Sequence, residues 1–213
     1  MKKFMALLLV AGMTLSLTAC GGSTDTAKTD QADGKDTFTV GFDQDFPPFG
    51  YVGDDGEFTG FDIEMATECA ARMGKKIVLQ PIDWDAKDME LEAGTIDCIW
   101  NGFTMNGRED QYTWTDPYMD NSQVVVVKKD SGINTLADLA GKVVEVQKES
   151  AAETALNDEE HADLMASFAQ LLSVGEYNTA FMDLESGAVD AVAIDIGVAQ
   201  FQIEGKEDQY QIL

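Results

Sequence analysis

The chain has 213 residues, 45% of them hydrophobic, which is enough for two small cores. It carries 39 acidic against 14 basic side chains, a formal charge of −25 at pH 7. A field of that sign repels nucleic acid and anionic lipid, so neither is expected as a partner. The three cysteines stand at 20, 69 and 98 with no metal-ligand spacing, and His161 lies in an acidic helical stretch as a surface residue. No metal or other cofactor is expected.

Lys2 and Lys3 precede an apolar run over residues 4–17, a charged n-region followed by an h-region. The run is too short and wrongly flanked for a stable membrane span, so residues 1–19 read as an export signal. It ends Leu17-Thr18-Ala19-Cys20, which resembles the lipobox of bacterial lipoproteins. That resemblance implies cleavage before Cys20 and attachment of lipid to its sulfur; the other reading is an ordinary signal peptide beside an incidental cysteine. Residues 20–36 are rich in Gly, Ser, Thr, Asp and Lys with almost nothing to bury, and are expected to be a flexible tether.

Residues 37–42 alternate as a strand, with Asp43 to Phe49 at its carboxyl end. Pro47 and Pro48 are expected to fix an extended loop that holds Phe46 over a cleft. Asp54-Asp55-Gly56 reads as a hairpin-like turn, and a helix follows to Met73, with Thr59 and Asp62 spaced as a capping box. Gly74 ends it; residues 77–82 are the next strand, with Trp84 just beyond, and a short helix spans 87–93. Leu91-Glu92-Ala93-Gly94-Thr95-Ile96-Asp97-Cys98-Ile99 is then echoed, almost type for type, by Leu184-Glu185-Ser186-Gly187-Ala188-Val189-Asp190-Ala191-Val192. Each copy reads as a last helical turn, a glycine at positive φ and a short inner strand of a parallel sheet. Polar groups leave each strand end: Asn101, Gly102, Thr104 and Arg108 after the first, Asp195 after the second. In open α/β sheets ligands bind outside the carboxyl ends of the strands, so two such lobes suggest a ligand clamped between them.

Residues 123–127 read as the strand that crosses into the second lobe. A short helix at 135–139, a strand at 141–146 and a capping box at Ser150 to Glu153 follow. Residues 162–172 are expected to be helical, then a loop with Gly175 and Tyr177, a helix over 179–185, and finally one amphipathic helix and the start of a strand over 196–213.

Several of these motifs occur in one order: Gly41-Phe42-Asp43 with Phe46-Pro47-Pro48-Phe49, Gly60-Phe61-Asp62-Ile63-Glu64-Met65, Gly94-Thr95-Ile96-Asp97, and Trp114-Thr115-Asp116-Pro117-Tyr118. Together they resemble the polar amino-acid-binding proteins, solute-binding components of bacterial ABC importers. The resemblance implies an α/β, two-lobe, type II periplasmic-binding-protein fold with the ligand cleft between the lobes. Lobe 1 would occupy residues 37–122, and the hinge strand with lobe 2 residues 123–213. It also implies a further C-terminal segment of roughly 50 residues, judged by usual domain sizes, so the chain is expected to be truncated, with lobe 1 incomplete.

The same resemblance assigns site roles. Arg108 would take the ligand α-carboxylate through parallel hydrogen bonds, aided by the helix start at Ser150 and Ala151. Asp195 would pair with the α-ammonium, with the Thr104 hydroxyl and Gly102 carbonyl. Phe46 and Trp84 would be walls, Asp43 would read a polar or cationic side-chain tip, and Gln147 and Asn101 would face the cleft. On residue type alone, Phe46 and Trp84 fit a core equally well and Ser150 fits a plain cap. The expected function is an exported, lipid-anchored amino-acid-binding protein that delivers its ligand to an ABC permease. An enzyme on the same fold, dehydratase- or lyase-like, is the alternative, since fold does not fix function; no nucleophile, base and orienting group converge, and no catalytic residue is assigned. A receptor's ligand-sensing domain is the third reading. Cys69 and Cys98 could pair in an oxidising envelope or stay as buried thiols.

Overall fold

The computed structural model describes residues 36–213. The export signal, Cys20 and the tether up to residue 35 lie outside the described residues. The alternation over residues 37–42 yields β1 (Thr37–Phe42), which lies between β5 (Lys76–Pro81) and β6 (Cys98–Ile99), parallel to both. Parallel neighbours need crossovers. α1 (Phe61–Arg72) precedes β5, and α2 (Lys87–Ala93) carries the chain from β5 to β6. α1 turns Ile63, Ala66 and Ala70 inward, the spacing of one helical face. A small antiparallel sheet of β2 (Asp45–Phe46), β3 (Gly50–Val52) and β4 (Phe58–Thr59) follows the carboxyl end of β1.

The second sheet is built from β7 (Gln123–Lys128), β8 (Val143–Gln147), β9 (Gln170–Val174), β10 (Ala191–Asp195) and β11 (Tyr210–Ile212), in the order β11-β7-β10-β8-β9. β8 runs parallel to β9 and β10, while β7 is antiparallel to β10 and β11. β10 is buried at all five positions, which explains its unbroken apolar run. Period-two alternation divides the core. Val126, Val192 and Ile194 pack under α5 (Tyr177–Ser186) and α6 (Ile196–Ile203). Val125, Val127, Val144 and Val146 pack under α3 (Ala151–Leu156) on the opposite face, with Leu164 of α4 (Ala162–Ser167) against them.

Both echoed glycines are left-handed helix ends, Gly94 at φ 69° and Gly187 at φ 81°, with their N–H groups bonded back to the preceding turn. Only the second echo feeds an inner strand. β6 pairs just two residues with β1 and stands at the sheet edge, because the chain turns away into residues 100–104.

Four local expectations are corrected. Residues 47–49 form a tight turn between β2 and β3, with a cis Pro47–Pro48 peptide, rather than an extended loop. The start of α1 is not a capping box: its N-cap is Gly60, and no side chain caps it. Helix α4 stops at Ser167, and residues 170–174 instead extend the sheet as β9 in register with β8. Their apolar content is used by a sheet edge, which local periodicity does not distinguish from a helix of equal length. Tyr177 begins α5 and is fully buried rather than lying in a loop. At Ser150 half of the box is present: its side chain accepts from Glu153 N–H, while the Glu153 carboxylate reaches one residue further back, to Glu149 N–H.

Gly60 carries a positional constraint that can be tested. Its φ is 125°, and a Cβ there would stand 2.3 Å from the Phe49 carbonyl oxygen, a backbone atom that cannot swing away. Gly60→Ala should therefore cost on the order of 3 kcal/mol, read as a lower urea midpoint; Gly56→Ala, with φ 82° but open space around it, should cost about 1 kcal/mol.

Candidate functional site

The carboxyl ends of strands from both sheets converge. β1 delivers Asp43, the turn after β5 delivers Trp84, and β6 delivers Asn101, Gly102 and Thr104. From the other sheet, β8 ends on Gln147 just before Ser150 and Ala151, and β10 ends on Asp195. A cavity of about 20 Å³, the room of about one water, lies between them. Phe46, Trp84, Asn101, Gly102 and Thr104 line it from the first body, the one built on the β5-β1-β6 sheet, the second being built on the β11-β7-β10-β8-β9 sheet. Arg108, Gln147, Ser150, Ala151 and Asp195 complete the wall. Asp43 alone of the expected residues does not touch it and stands one hydrogen bond behind Gln147, whose amide donates to Asp43 Oδ2 at 2.6 Å.

Arg108 is 8% exposed, and its guanidinium lies 5.3 Å from the Phe103 ring centre. It donates to the carbonyls of Thr104 (3.3 Å), Glu149 (3.2 Å) and Ser150 (3.2 Å) and to the Thr154 hydroxyl (3.0 Å). All four acceptors are neutral. Trp114 fixes the arginine from behind by donating its indole N–H to the Arg108 carbonyl at 3.0 Å.

Asp195 is equally enclosed. Its Oδ1 accepts from the Gln123 amide at 2.7 Å and from the Asn121 amide, and burial pushes its carboxyl above the usual range. Asn121 also donates to the Thr104 hydroxyl at 3.2 Å, so one amide joins residues of the two bodies. Asp43 accepts from Asp45 N–H (2.8 Å) as well as from Gln147, while Asn101 accepts the Asp43 N–H at 3.0 Å. Desolvation dominates here too, and lifts Asp43 to about 6.

Further contacts cross the cleft. Lys148 meets Asp85 at 2.6 Å, Asn178 donates to Asp45 at 2.6 Å, and Trp84 donates its indole N–H to the Glu149 carbonyl at 3.3 Å. The Phe49 ring fills the gap left by two glycines: a Cβ would come within 3.5 Å of it at Gly102 and 2.8 Å at Gly197.

Besides Asn121, Gln123 and Thr154, which hold Asp195 and Arg108, four further residues of this region escaped the sequence reading. Phe103 lines the cavity and meets Trp84 edge-on at 5.0 Å; as one aromatic in a turn it carried no periodic signal. Lys87 is 3% exposed, with its ammonium 5.2 Å from the Trp84 ring and 3.8 Å from the Glu149 carboxylate, and burial lowers its pKa. The three-residue spacing from Trp84 was a usable signal, since such pairs share a helical face. Glu149 holds φ 60°, a left-handed geometry that a glutamate does not advertise. Tyr177 packs on Phe46 at 6.0 Å, and its fully buried hydroxyl has no hydrogen-bond partner. Among the described residues, no group of three or more His, Cys, Asp or Glu could hold a metal ion, and Cys69 and Cys98 are free thiols. Among the same residues, no helix is long and apolar enough to cross a membrane.

Comparison with known proteins places this geometry in a family. Residues 38–189 match the bacterial extracellular solute-binding proteins, family 3. The arginine-binding extracellular protein ArtP of Bacillus subtilis (strain 168) is 30% identical over 210 residues, covering 98% of this chain and 78% of that protein. The L-cystine-binding protein TcyJ of Escherichia coli (strain K12) is 31% identical over 194 residues, covering 90% and 69%. Among solved structures, an ABC uptake transporter substrate-binding protein from Streptococcus pneumoniae with bound histidine superposes with a TM-score of 0.79 at 35% identity, covering 84% of this chain and 74% of that one. The family match over residues 38–189 covers well over half of the sequence, and the chain belongs to the bacterial extracellular solute-binding proteins of family 3.

Proposed function

We propose that this protein captures an α-amino acid with a polar or cationic side chain in the cleft and delivers it to the membrane permease of an ABC importer. The observation that carries this reading is the pairing of Arg108 and Asp195, opposite charges from the two bodies that line one cavity and are otherwise met by neutral groups. A zwitterion supplies what each lacks. Its carboxylate would replace the carbonyls around Arg108, and a charge-assisted bond is roughly twice as strong as a neutral one. Its ammonium would sit between Asp195, the Thr104 hydroxyl and the Gly102 carbonyl. Main-chain groups at Ser150 and Ala151 would share the carboxylate, and Phe46 and Trp84 would sandwich the side chain. Asn101 and Gln147 close the far end, where Gln147 leads to Asp43.

A space of about 20 Å³ does not admit an amino acid, so capture needs the bodies to part and close again. In this reading lobe 1 is residues 37–122 and lobe 2 residues 123–213, with β7 as the crossing strand. Relatives named for arginine, L-cystine and bound histidine support a polar ligand. The binding-protein names also support capture rather than catalysis. Export, with Cys20 as the lipid-bearing residue that keeps the protein beside its permease, completes the reading; two acyl chains on one residue give stable attachment.

The test is a thermal-shift screen of the twenty amino acids and cystine. At 100 times its Kd a ligand adds about 2.7 kcal/mol, or roughly 5–10 °C for a protein of this size. Arg108→Ala and Asp195→Ala should each weaken binding by at least about a hundredfold, because each strands a buried partner charge. A cooperative melt that none of the ligands moves would sink the proposal.

Acidity supplies a second test. Asp43 is faced by the carboxylates of Asp45 and Glu176 and by no cation, and its pKa stands at about 6 against an ordinary 3.8. Between those values the folded protein holds a proton that the unfolded chain has released. The contribution of Asp43 to stability is therefore greatest below the ordinary value and is lost as pH rises through about 6. An L-arginine side chain needs the ionised form, so that contribution to its affinity should fall about tenfold from pH 7.5 to pH 5. Asp43→Asn should remove this component, measured by calorimetric titration across pH.

A further inference from the structure

Asp62 is a buried carboxylate that the binding reading does not use. It is 0% exposed in the first turn of α1, yet it does not cap that helix, whose N-cap is Gly60. Its main chain and side chain face two edges of the cleft. Its N–H donates to the Phe49 carbonyl at 3.0 Å, and the neighbouring Phe61 N–H donates to Pro48 at 2.9 Å, which pins the turn behind Phe46. Its Oδ1 accepts the Tyr118 hydroxyl at 2.8 Å. Its Oδ2 lies 3.7 Å from where a Cβ of Gly102 would stand, and the Trp100 indole is close enough to the same carboxylate to lower its pKa. Both Oδ2 and Trp100 Nε1 are buried without a hydrogen-bond partner of their own, an acceptor and a donor in one cluster.

The residue type follows from these neighbours. The Tyr118 O–H is donated to Oδ1 and the Trp100 N–H is an unmet donor in the same cluster, and a carboxylate answers donors without adding one. An asparagine of the same shape would turn an NH2 group towards them. Burying the charge is costly, and no cation repays it here. A helix start needs no such group, but the chain from Trp100 to Thr104 has no regular structure of its own to set its path.

We propose that Asp62 is a positioning residue for ligand capture: its carboxylate sets the path of residues 100–104, and with it the placement of Asn101, Gly102 and Thr104 in the cleft. This rests on the reading of the cleft as an amino-acid site.

The experiment compares the full chain with Asp62→Asn, using L-arginine as the probe in calorimetric titration and tryptophan fluorescence against pH without ligand. Asp62→Asn should keep a cooperative melt while weakening L-arginine about tenfold or more, since it turns an NH2 group against the buried Tyr118 and Trp100 donors. Thr104→Ala should then lose most of its effect in the Asp62→Asn background, because Thr104 is already misplaced. Desolvation holds Asp62 at about 6, and the titratable group facing it, Tyr118, is pushed far above that range by burial. Trp100 fluorescence should therefore change with a midpoint near pH 6, a change lost in Asp62→Asn and Trp100→Phe but kept in Asp43→Asn. L-arginine binding at wild-type strength in Asp62→Asn would overturn the proposal, as would a full Thr104→Ala effect in that background. Should Asp62→Asn not fold, Tyr118→Phe, which removes one donor and leaves the carboxylate, is read in its place, and wild-type affinity there is the overturning result. Should the wild-type chain not bind L-arginine, the proposed function fails in its cationic form, and fluorescence alone decides Asp62: a transition near pH 6 that persists in Asp62→Asn overturns its placement against Trp100.

Discussion

Charge taken out of water must be met by charge or by dipoles, and this cleft meets it with dipoles. Arg108 is held by three carbonyls and a hydroxyl, Asp195 by two amides, and Asp43 by an amide and a main-chain N–H. Dipoles offset desolvation only in part, which is why burial is the largest cause of the raised pKa at Asp43, Asp62 and Asp195. The cost falls on stability, at about 1.4 kcal/mol for each pKa unit. A chain selected only for stability would place apolar groups at such positions. In the proposed function, retaining Asp43 and Asp195 there is the trade that a binding site makes.

The rest of the fold is arranged to bring those groups together at small cost in ordering. Asp43 directly follows β1 and Asp195 ends β10, so the sheets fix their height, while Arg108 is carried in by the irregular chain that leaves β6. Close approach is then secured by small residues rather than by flexible ones. Gly102 and Gly197 leave room for the Phe49 ring, and Gly60 lets α1 start directly against the Phe49 carbonyl. Phe49 is thereby a spacer between the bodies, in contact with the glycines of both. The ion pair of Lys148 with Asp85 is more exposed and contributes less.

Elements whose signals are local were legible in the sequence. Gly94 and Gly187 marked helix ends because a left-handed backbone asks for glycine, and the apolar run of residues 191–194 marked a buried strand because both its faces are covered. The cavity residues were legible through position at strand ends combined with family resemblance. What stayed hidden depends on partners distant in sequence. Residues 170–174 became a strand only because β8 offered an edge, and Asp62 looked like a cap because its true partner, Tyr118, lies 56 residues away. Thr59 and Asp62 had the spacing of a capping box, but Gly60 at φ 125° starts the helix one residue too late for that geometry.

In the proposed function, opening and binding share one set of bonds at Asn121. It lies two residues before β7, the strand that leads from one body to the other, and donates both to Thr104 of the first and to Asp195 of the second. Gln123, the first residue of β7, donates to the same carboxylate oxygen. The rotation about the residues before β7 that this reading requires would change the solvation of Asp195 at the same time as it widened the cleft. With the bodies apart, water can serve the carboxylate, and its charge costs little; with them together, it must be met by amides or by a cation. An ammonium placed beside Asp195 during closure would be worth more than the two amides alone. In the proposed function, that difference is the free energy by which a ligand would favour the closed arrangement over the open one.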